Sequence, residues 1–199
     1  MAEVDVSTVA ANAARLNVVD RLGAFAAQLP DGIAVACPRR HSTDYATITF
    51  AELDSEATRI ARGLVAWGVK PGSRIALLVR PGIEFVTLVF ALLRTGVVIV
   101  LVDPGLGRRN LVRCLAETAP DGFVAIPAAH AVRMFVRGQF PHAKWNVTVG
   151  RRWFWGGLSL EQLRERGETA HDLRLPETQR PTRTPAPRSP LPAPCHKRR

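Results

Sequence analysis

Apolar and polar positions along the chain follow two alternating periods. Over residues 50–67, Leu53, Ala57, Ile60, Leu64 and Trp67 recur at three- and four-residue spacing, the stripe of an amphipathic helix. Thr49-Phe50-Ala51-Glu52 places a hydroxyl and a carboxylate where they can cap that helix reciprocally, and Gly68 supplies a C-terminal stop. Short apolar, β-branched runs lie between such stripes and predict strands at 33–36, 74–79, 97–102, 122–126 and 145–150, with a further short strand closing the polar loop 41–50. Helices are predicted ahead of the Pro30-Asp31-Gly32 turn, from about Pro81, over 108–118, around His130 and from Ser159. Strands alternating with helices in this way imply an α/β fold with a mostly parallel sheet flanked by helices.

The most apolar stretch, 85–105, asks whether the chain crosses a membrane. A spanning helix needs about 20 apolar residues. Here Phe85 to Leu93 is followed by Arg94-Thr95-Gly96, and an arginine at mid-membrane costs about 2.5–3.5 kcal/mol even on the lenient insertion scale. Residues 97–102 are β-branched at five of six positions, and Asp103-Pro104-Gly105 stops them as a turn. The stretch therefore reads as a buried helix, a tight turn at Gly96 and a buried parallel strand, with no membrane span.

With 199 residues, 47% of them hydrophobic, the chain has material for one domain and a tail. The formal charge of +10 changes little once located, because the segment from Arg174 onward contributes +6 of it. The body has no exceptional field, and a nucleic-acid partner is not indicated. The same segment carries seven of the fifteen prolines and almost no large apolar residues. The expected division is a domain over 1–175 and a disordered Pro/Arg-rich tail over 176–199. Cys37, Cys114 and Cys195 form no CxxC pair and no metal-ligand spacing, an odd and sparse set that suits a reducing compartment. The N-terminus lacks a basic start followed by an apolar core, so the expected location is cytoplasmic.

Candidate chemistry is sparse. Gly105-Leu106-Gly107-Arg108-Arg109 follows a predicted strand and opens a helix, where backbone N–H groups can bind an anion, but an incomplete GxGxxG reads first as an ordinary turn. His130 has no nearby Cys, Asp or Glu to complete a ligand set or triad, and His41, His142, His171 and His196 have weaker cases. Trp145, Trp153 and Trp155 with Arg151 and Arg152 make an aromatic–basic cluster, yet the two-residue spacing of Trp153 and Trp155 reads as one packed face of an extended segment. Asn146-Val147-Thr148 is a glycosylation sequon by letters only, and Asp54 and Glu56 fall on different helix faces. No catalytic, cofactor-binding or metal residue is assigned.

The order of motifs is more informative than any one of them. "ITFAEL" and "LLRTGVVIVLVDP", about 40 residues apart by sequence number, resemble the first two core motifs of the adenylate-forming enzymes, the superfamily of acyl-CoA synthetases, luciferases and peptide-synthetase adenylation domains. Thr95 stands where the family commonly has Ala, and Val98-Ile99-Val100-Leu101 replaces its aromatic-Val-Pro step. The resemblance covers about residues 17–170. "VDPGLGRRNLVRCLAETAPDGFVAIPAAHAVRM" and "VTVGRRWFWGG" look most like a bacterial branch of fatty-acyl-CoA ligases and the β-lactone synthetases of olefin biosynthesis. The resemblance implies a large-domain N-terminal part. It also implies a reaction in which a fatty or β-hydroxy carboxylate attacks the α-phosphate of ATP, with Mg²⁺, to give an acyl-adenylate and pyrophosphate. CoA or the substrate's own hydroxyl would then take the acyl group.

The family's phosphate loop would follow residue 175, and it is not in the sequence, nor are the later nucleotide motifs and catalytic lysine. No family site residue therefore carries over. The expectation is a truncated AMP-dependent synthetase/ligase, inactive alone and binding no cofactor itself, with exposed apolar faces and poor solubility. The alternatives are a non-catalytic α/β binding or regulatory module, or a nucleic-acid binder acting through the basic tail. Degenerate codons for residues 180–190 also permit "ADTDTGAAIA" in a shifted frame, close to what precedes the phosphate loop in the family. The coding DNA past residue 178 is therefore expected to continue as a ligase in another frame, and sequencing the locus checks this; the absence of such a continuation refutes the frameshift.

Overall fold

The structure, a computed structural model, describes residues 17–39, 43–102 and 107–176. Apart from Pro176, the expected tail lies outside that range, as do the chain's first sixteen residues. In chain order the elements are α1 (Val18–Gln28), β1 (Ile33–Pro38), β2 (Tyr45–Thr49), α2 (Phe50–Ala66), β3 (Arg74–Leu78), α3 (Ile83–Arg94), β4 (Val98–Val100), α4 (Arg108–Thr118), β5 (Gly122–Ala125), α5 (Pro127–Phe135), β6 (Trp145–Thr148), β7 (Leu158–Ser159) and α6 (Leu160–Thr169). A 3₁₀ turn, Arg137–Gln139, follows α5.

β1 and β2 pair antiparallel as a separate two-stranded sheet. The other five strands form an all-parallel sheet in the order β4-β3-β5-β6-β7. The α/β expectation therefore holds. The expected buried strand at 97–102 does not: β4 is three residues long and lies on the sheet edge, with Val98 50% and Leu101 59% exposed. Its β-branched run looked like interior sequence because composition reports a preference for pleated backbone and not the number of neighbours a strand acquires.

Helices cover both faces. On one, Ile60 and Leu64 of α2, Leu88 and Leu92 of α3 and Leu163 of α6 pack on Ile75, Leu77, Val124 and Val147. Each fully buried leucine or isoleucine contributes about 1.5–3 kcal/mol relative to exposure. On the other face a smaller cluster joins Ala76, Leu115, Phe123 and Phe140, with the two phenylalanine rings edge to face at 5.1 Å.

The capping box at Thr49 forms as the sequence predicts: Glu52 N–H donates to Thr49 Oγ1 (3.2 Å), and Thr49 N–H donates to Glu52 Oε2 (2.9 Å). A second box, Ser159 with Gln162, opens α6. Arg94, the charge inside the apolar stretch, ends α3 and reaches across to Asp54 and Thr58 of α2. It is a tie between helices, and no helix among the described residues is long and apolar enough to cross a membrane.

Glycines let α2 and α6 approach each other closely. A Cβ on Gly63 would stand 2.1 Å from Leu163 O, and one on Gly167 would stand 1.9 Å from Arg59 O. Beside this crossing Glu56 pairs with both Arg59 and Arg164, and Arg59 also pairs with Glu168. Burial opposes the Arg59 charge, but hydrogen bonds to Glu56 and Glu168 outweigh it and raise its pKa. Backbone atoms cannot yield as a flexible side chain does, so Gly63→Ala or Gly167→Ala is expected to destabilise the fold by about 3 kcal/mol. Gly138→Ala, where a Cβ meets nothing within 4 Å, is expected to stay within about 0.5 kcal/mol of the parent. Urea unfolding midpoints measure the difference.

Candidate functional site

In an open parallel sheet, ligands gather beyond the carboxyl ends of the strands, where neighbouring strands send their connections to opposite sides. Here β3 leads through α3 to β4 on one side, and β5 leads through α5 to β6 on the other. The switch point lies between β3 and β5. A crevice of about 400 Å³ opens there, lined by Val79-Arg80-Pro81-Gly82 leaving β3, Ile126 leaving β5 and Val149-Gly150 leaving β6. Cys37, Pro38 and Arg39 at the end of β1 complete its wall.

The local sequence explains the opening. Pro81 and Gly82 interrupt the chain after β3, and α3 begins at Ile83 with no side-chain cap on its first N–H groups. Those donors, together with Arg80 and Arg39, favour an anionic group over a cation. Glu84 is the one carboxylate in the lining. Among the described residues no three His, Cys, Asp or Glu side chains gather as a metal site. A magnesium ion does not fit this donor set. The Cys37 thiol is free and half-buried, with no histidine in the lining to act as its base.

A larger groove, about 880 Å³, runs between α2, α3 and α6 on the helical face. Its size does not make it the better candidate: Glu56, Arg59, Arg164 and Glu168 within it pair with one another, whereas the crevice at the strand ends is lined by Arg39 and Arg80 beside an uncapped helix start.

The residues singled out in the sequence are distributed differently. Gly105 and Leu106 lie outside the described residues; Gly107, at φ +79°, starts α4 without a side-chain cap. His130 lies on α5, fully buried, with Nε2 2.9 Å from Val147 O and its ring stacked on Trp155 at 5.9 Å. Trp155 Nε1–H donates to Thr148 Oγ1 (2.9 Å). The expectation that Trp153 and Trp155 share one packed face is corrected: residues 151–157 are a turn rather than an extended segment, Trp155 is buried and Trp153 is 61% exposed. Two consecutive glycines at positive φ, Gly156 and Gly157, bend the chain there, and spacing of two carries meaning only in a strand. Asn146 of the sequon is buried in β6, with its Nδ2 donating to Ala143 O. Asp54 pairs with Arg94 and Glu56 with Arg164, ties between helices. Arg39 and Arg80 were not singled out in the sequence, and Cys37 was weighed there only as one of three scattered cysteines; the one signal of the two arginines is position, just beyond a strand end.

The fold and the crevice define a parallel α/β unit with a strand-end ligand cleft, a class that includes many nucleotide- and acid-activating enzymes. The family model "AMP-binding enzyme" matches residues 22–184, and the chain belongs to that family. The olefin beta-lactone synthetase of Stenotrophomonas maltophilia is 41% identical over 157 residues, which are 76% of this chain and 28% of that protein. The olefin beta-lactone synthetase of Xanthomonas campestris pv. campestris is 40% identical over 159 residues, 77% of this chain and 28% of that protein. The solved long-chain-fatty-acid-CoA ligase of Archaeoglobus fulgidus shares the fold, with a TM-score of 0.64 at 20% identity, over 75% of this chain and 29% of that one. The match thus spans somewhat over a quarter of the length of these two synthetases.

His130 yields a test of how the strand ends are held. Burial lowers its pKa from the usual 6.5; the Val147 hydrogen bond opposes the shift and nearby Arg133 adds to it. The folded protein therefore keeps the ring neutral, while the unfolded chain takes up a proton near pH 6.5. The associated stability is fully present above pH 6.5 and is lost as pH falls through that value toward the depressed folded pKa. Its slope should reach at most about 1.4 kcal/mol per pH unit. Urea titrations between pH 8 and pH 5 are expected to show this loss, and His130→Phe is expected to flatten it while lowering stability at pH 8.

Proposed function

We propose that this chain is the N-terminal part of an AMP-forming acid ligase close to the olefin β-lactone synthetases, and that it acts as scaffold and wall rather than as the catalytic centre. The observation that carries this reading is 40–41% identity to two such synthetases over about three quarters of the chain. In the complete reaction a carboxylate oxygen attacks the α-phosphorus of ATP, the bond to the pyrophosphate oxygen breaks, and acyl-adenylate and pyrophosphate result. The substrate would be a fatty or β-hydroxy acid. The nucleotide and its Mg²⁺ would be gripped by segments beyond those described, since the crevice holds arginines and a bare helix start but no acid pair for the metal.

What this chain's residues would do is limited and specific. Arg80, Arg39 and the α3 N-terminus set a positive rim at the strand ends. The α2–α6 crossing holds the sheet behind that rim rigid. Neither feature activates a nucleophile.

The test is ATP–pyrophosphate exchange with a β-hydroxy fatty acid. The chain alone is expected to give no exchange above background. Mixed with the Stenotrophomonas synthetase lacking its matching first part, it is expected to restore exchange. Robust exchange by the chain alone overturns the scaffold role, and a stable complex without exchange overturns the ligase reading.

A further inference from the structure

The segment from Gly122 to Leu160 has an unusual charge pattern. Arg133, Arg137, Lys144, Arg151 and Arg152 are its charged residues, and none is acidic. Within it α5 reads Pro-Ala-Ala-His-Ala-Val-Arg-Met-Phe, and its amphipathicity is inverted. Its two polar side chains turn inward: His130 is fully buried, and Arg133 lies over the Phe123 ring at 5.7 Å, with Nη2 directed to Trp155 O. Its outward positions, Ala128, Val132 and Phe135, fall at i, i+4 and i+7 and are all exposed, Phe135 to 90%. A helix in water normally shows the reverse.

The turn beside it continues the pattern. Trp155 is stacked on His130, and Trp153 and Phe154 lie 6.0 and 5.6 Å from Trp155, ring centre to ring centre. Trp153 and Phe154 are 61% and 78% exposed, directly after exposed Arg151 and Arg152. One stretch of the chain, 122–160, thus carries projecting phenylalanines, an exposed indole and aliphatic positions, together with arginines and no acid.

We propose that this face, α5 with the 151–157 turn, docks reversibly on an anionic phospholipid surface. The chemistry matches point by point. Exposed Phe and Val gain from entering the acyl boundary, indole is favoured at the headgroup level, and arginines meet lipid phosphates. Charge complementarity argues against a second copy of the same basic face. The aliphatic share of the helix stripe argues against nucleic acid, which rewards flat stacking rings along a groove and gains nothing from Val132. No helix among the described residues is long and apolar enough to cross a bilayer, and the contact proposed is peripheral. The proposal does not depend on which acid is activated.

Cosedimentation of the full chain with phosphatidylglycerol–phosphatidylcholine vesicles tests it, with pure phosphatidylcholine as the comparison. The chain is expected to partition to the anionic vesicles. The double variant Phe135→Ser/Phe154→Ser is expected to lower that partition at least about tenfold. Vesicles with brominated acyl chains are expected to quench the parent's tryptophan emission, and Trp153→Phe to remove most of that quenching, a readout that does not rely on the serine variants. Binding that ignores the phenylalanine pair but disappears in Arg180→Gln/Arg183→Gln/Arg188→Gln assigns it to the basic C-terminal segment and overturns the proposal. So does equally tight, phenylalanine-dependent binding of a single-stranded oligonucleotide, and so does phenylalanine-dependent self-association without lipid.

Discussion

The backbone contact between α2 and α6 is the constraint on which the helical layer depends. Two helices at ordinary separation meet through side chains, at 8–10 Å between axes. Here Gly63 presents bare backbone to Leu163 O, and Gly167 presents it to Arg59 O, so each helix uses the other's groove without an intervening Cβ. This close seating lets Leu163, from the last helix, become fully buried among Ile60, Leu64 and the strand residues. It also brings Arg164 and Glu168 within reach of Glu56 and Arg59. The ion pairs are a consequence of the approach more than its cause: they are partly exposed, and pairs of that kind contribute little on their own. Residues more than 100 apart in sequence are thereby locked together, and β7, which leads directly into α6, is held as the last strand of the sheet.

That lock explains why the strand ends can form a defined crevice. β3 and β5 are central, with a neighbour on each side, and their carboxyl ends are fixed by α3 and α5 leaving on opposite sides of the sheet. α3 is braced a second time, at its far end, by Arg94 on Asp54 and Thr58. With its C-terminus tied to α2, its N-terminus has little freedom to close over Arg80 and Gly82. A rim of arginines around a bare helix start is costly to leave facing itself, and its value lies in meeting an anion. The crevice supplies recognition and shape, and the described residues bring no base to it.

Much of this was legible in the sequence because it is local. The Thr49–Glu52 box, the Gly68 stop, the stripe from Leu53 to Leu64 and the order of strands and helices each depend on residues within one or two turns of one another. The parts that could not be read are those decided by partners distant in the chain. Gly63 and Gly167 look like weak points in their helices until the facing carbonyl is known. Val98 looks like interior sequence until the sheet order puts β4 on an edge. Leu158-Ser159 is too short to register as a strand without β6 beside it. The site was less legible still: Arg39 and Arg80 have no motif around them, and only the topology brings them to one opening. Asp54 and Glu56 show the converse. Their helical spacing correctly separates them, but only the fold shows that each answers an arginine from another helix.

The two faces of the sheet also divide the protein's charge in different ways. On the α2, α3 and α6 side, most charges that approach the core are matched: Glu56 serves two arginines, Arg59 serves two glutamates, and Arg94 meets Asp54. On the α5 side the one ion pair among the described residues, Arg113 with Glu117, lies within α4, and the segment 122–160 has no acid; Arg133 is left with burial that lowers its pKa, a ring beneath it and one long bond to a carbonyl, and its Nε has no partner. Asn146 Oδ1 and His130 Nδ1 are likewise unpaired and buried there. Orphaned polar atoms beneath an apolar, cationic exterior form an arrangement that stability alone does not favour, since exchanging inner and outer positions of α5 would relieve both. Its persistence is physically reasonable where the outer surface meets a separate demand, one that favours apolar side chains set among positive charges.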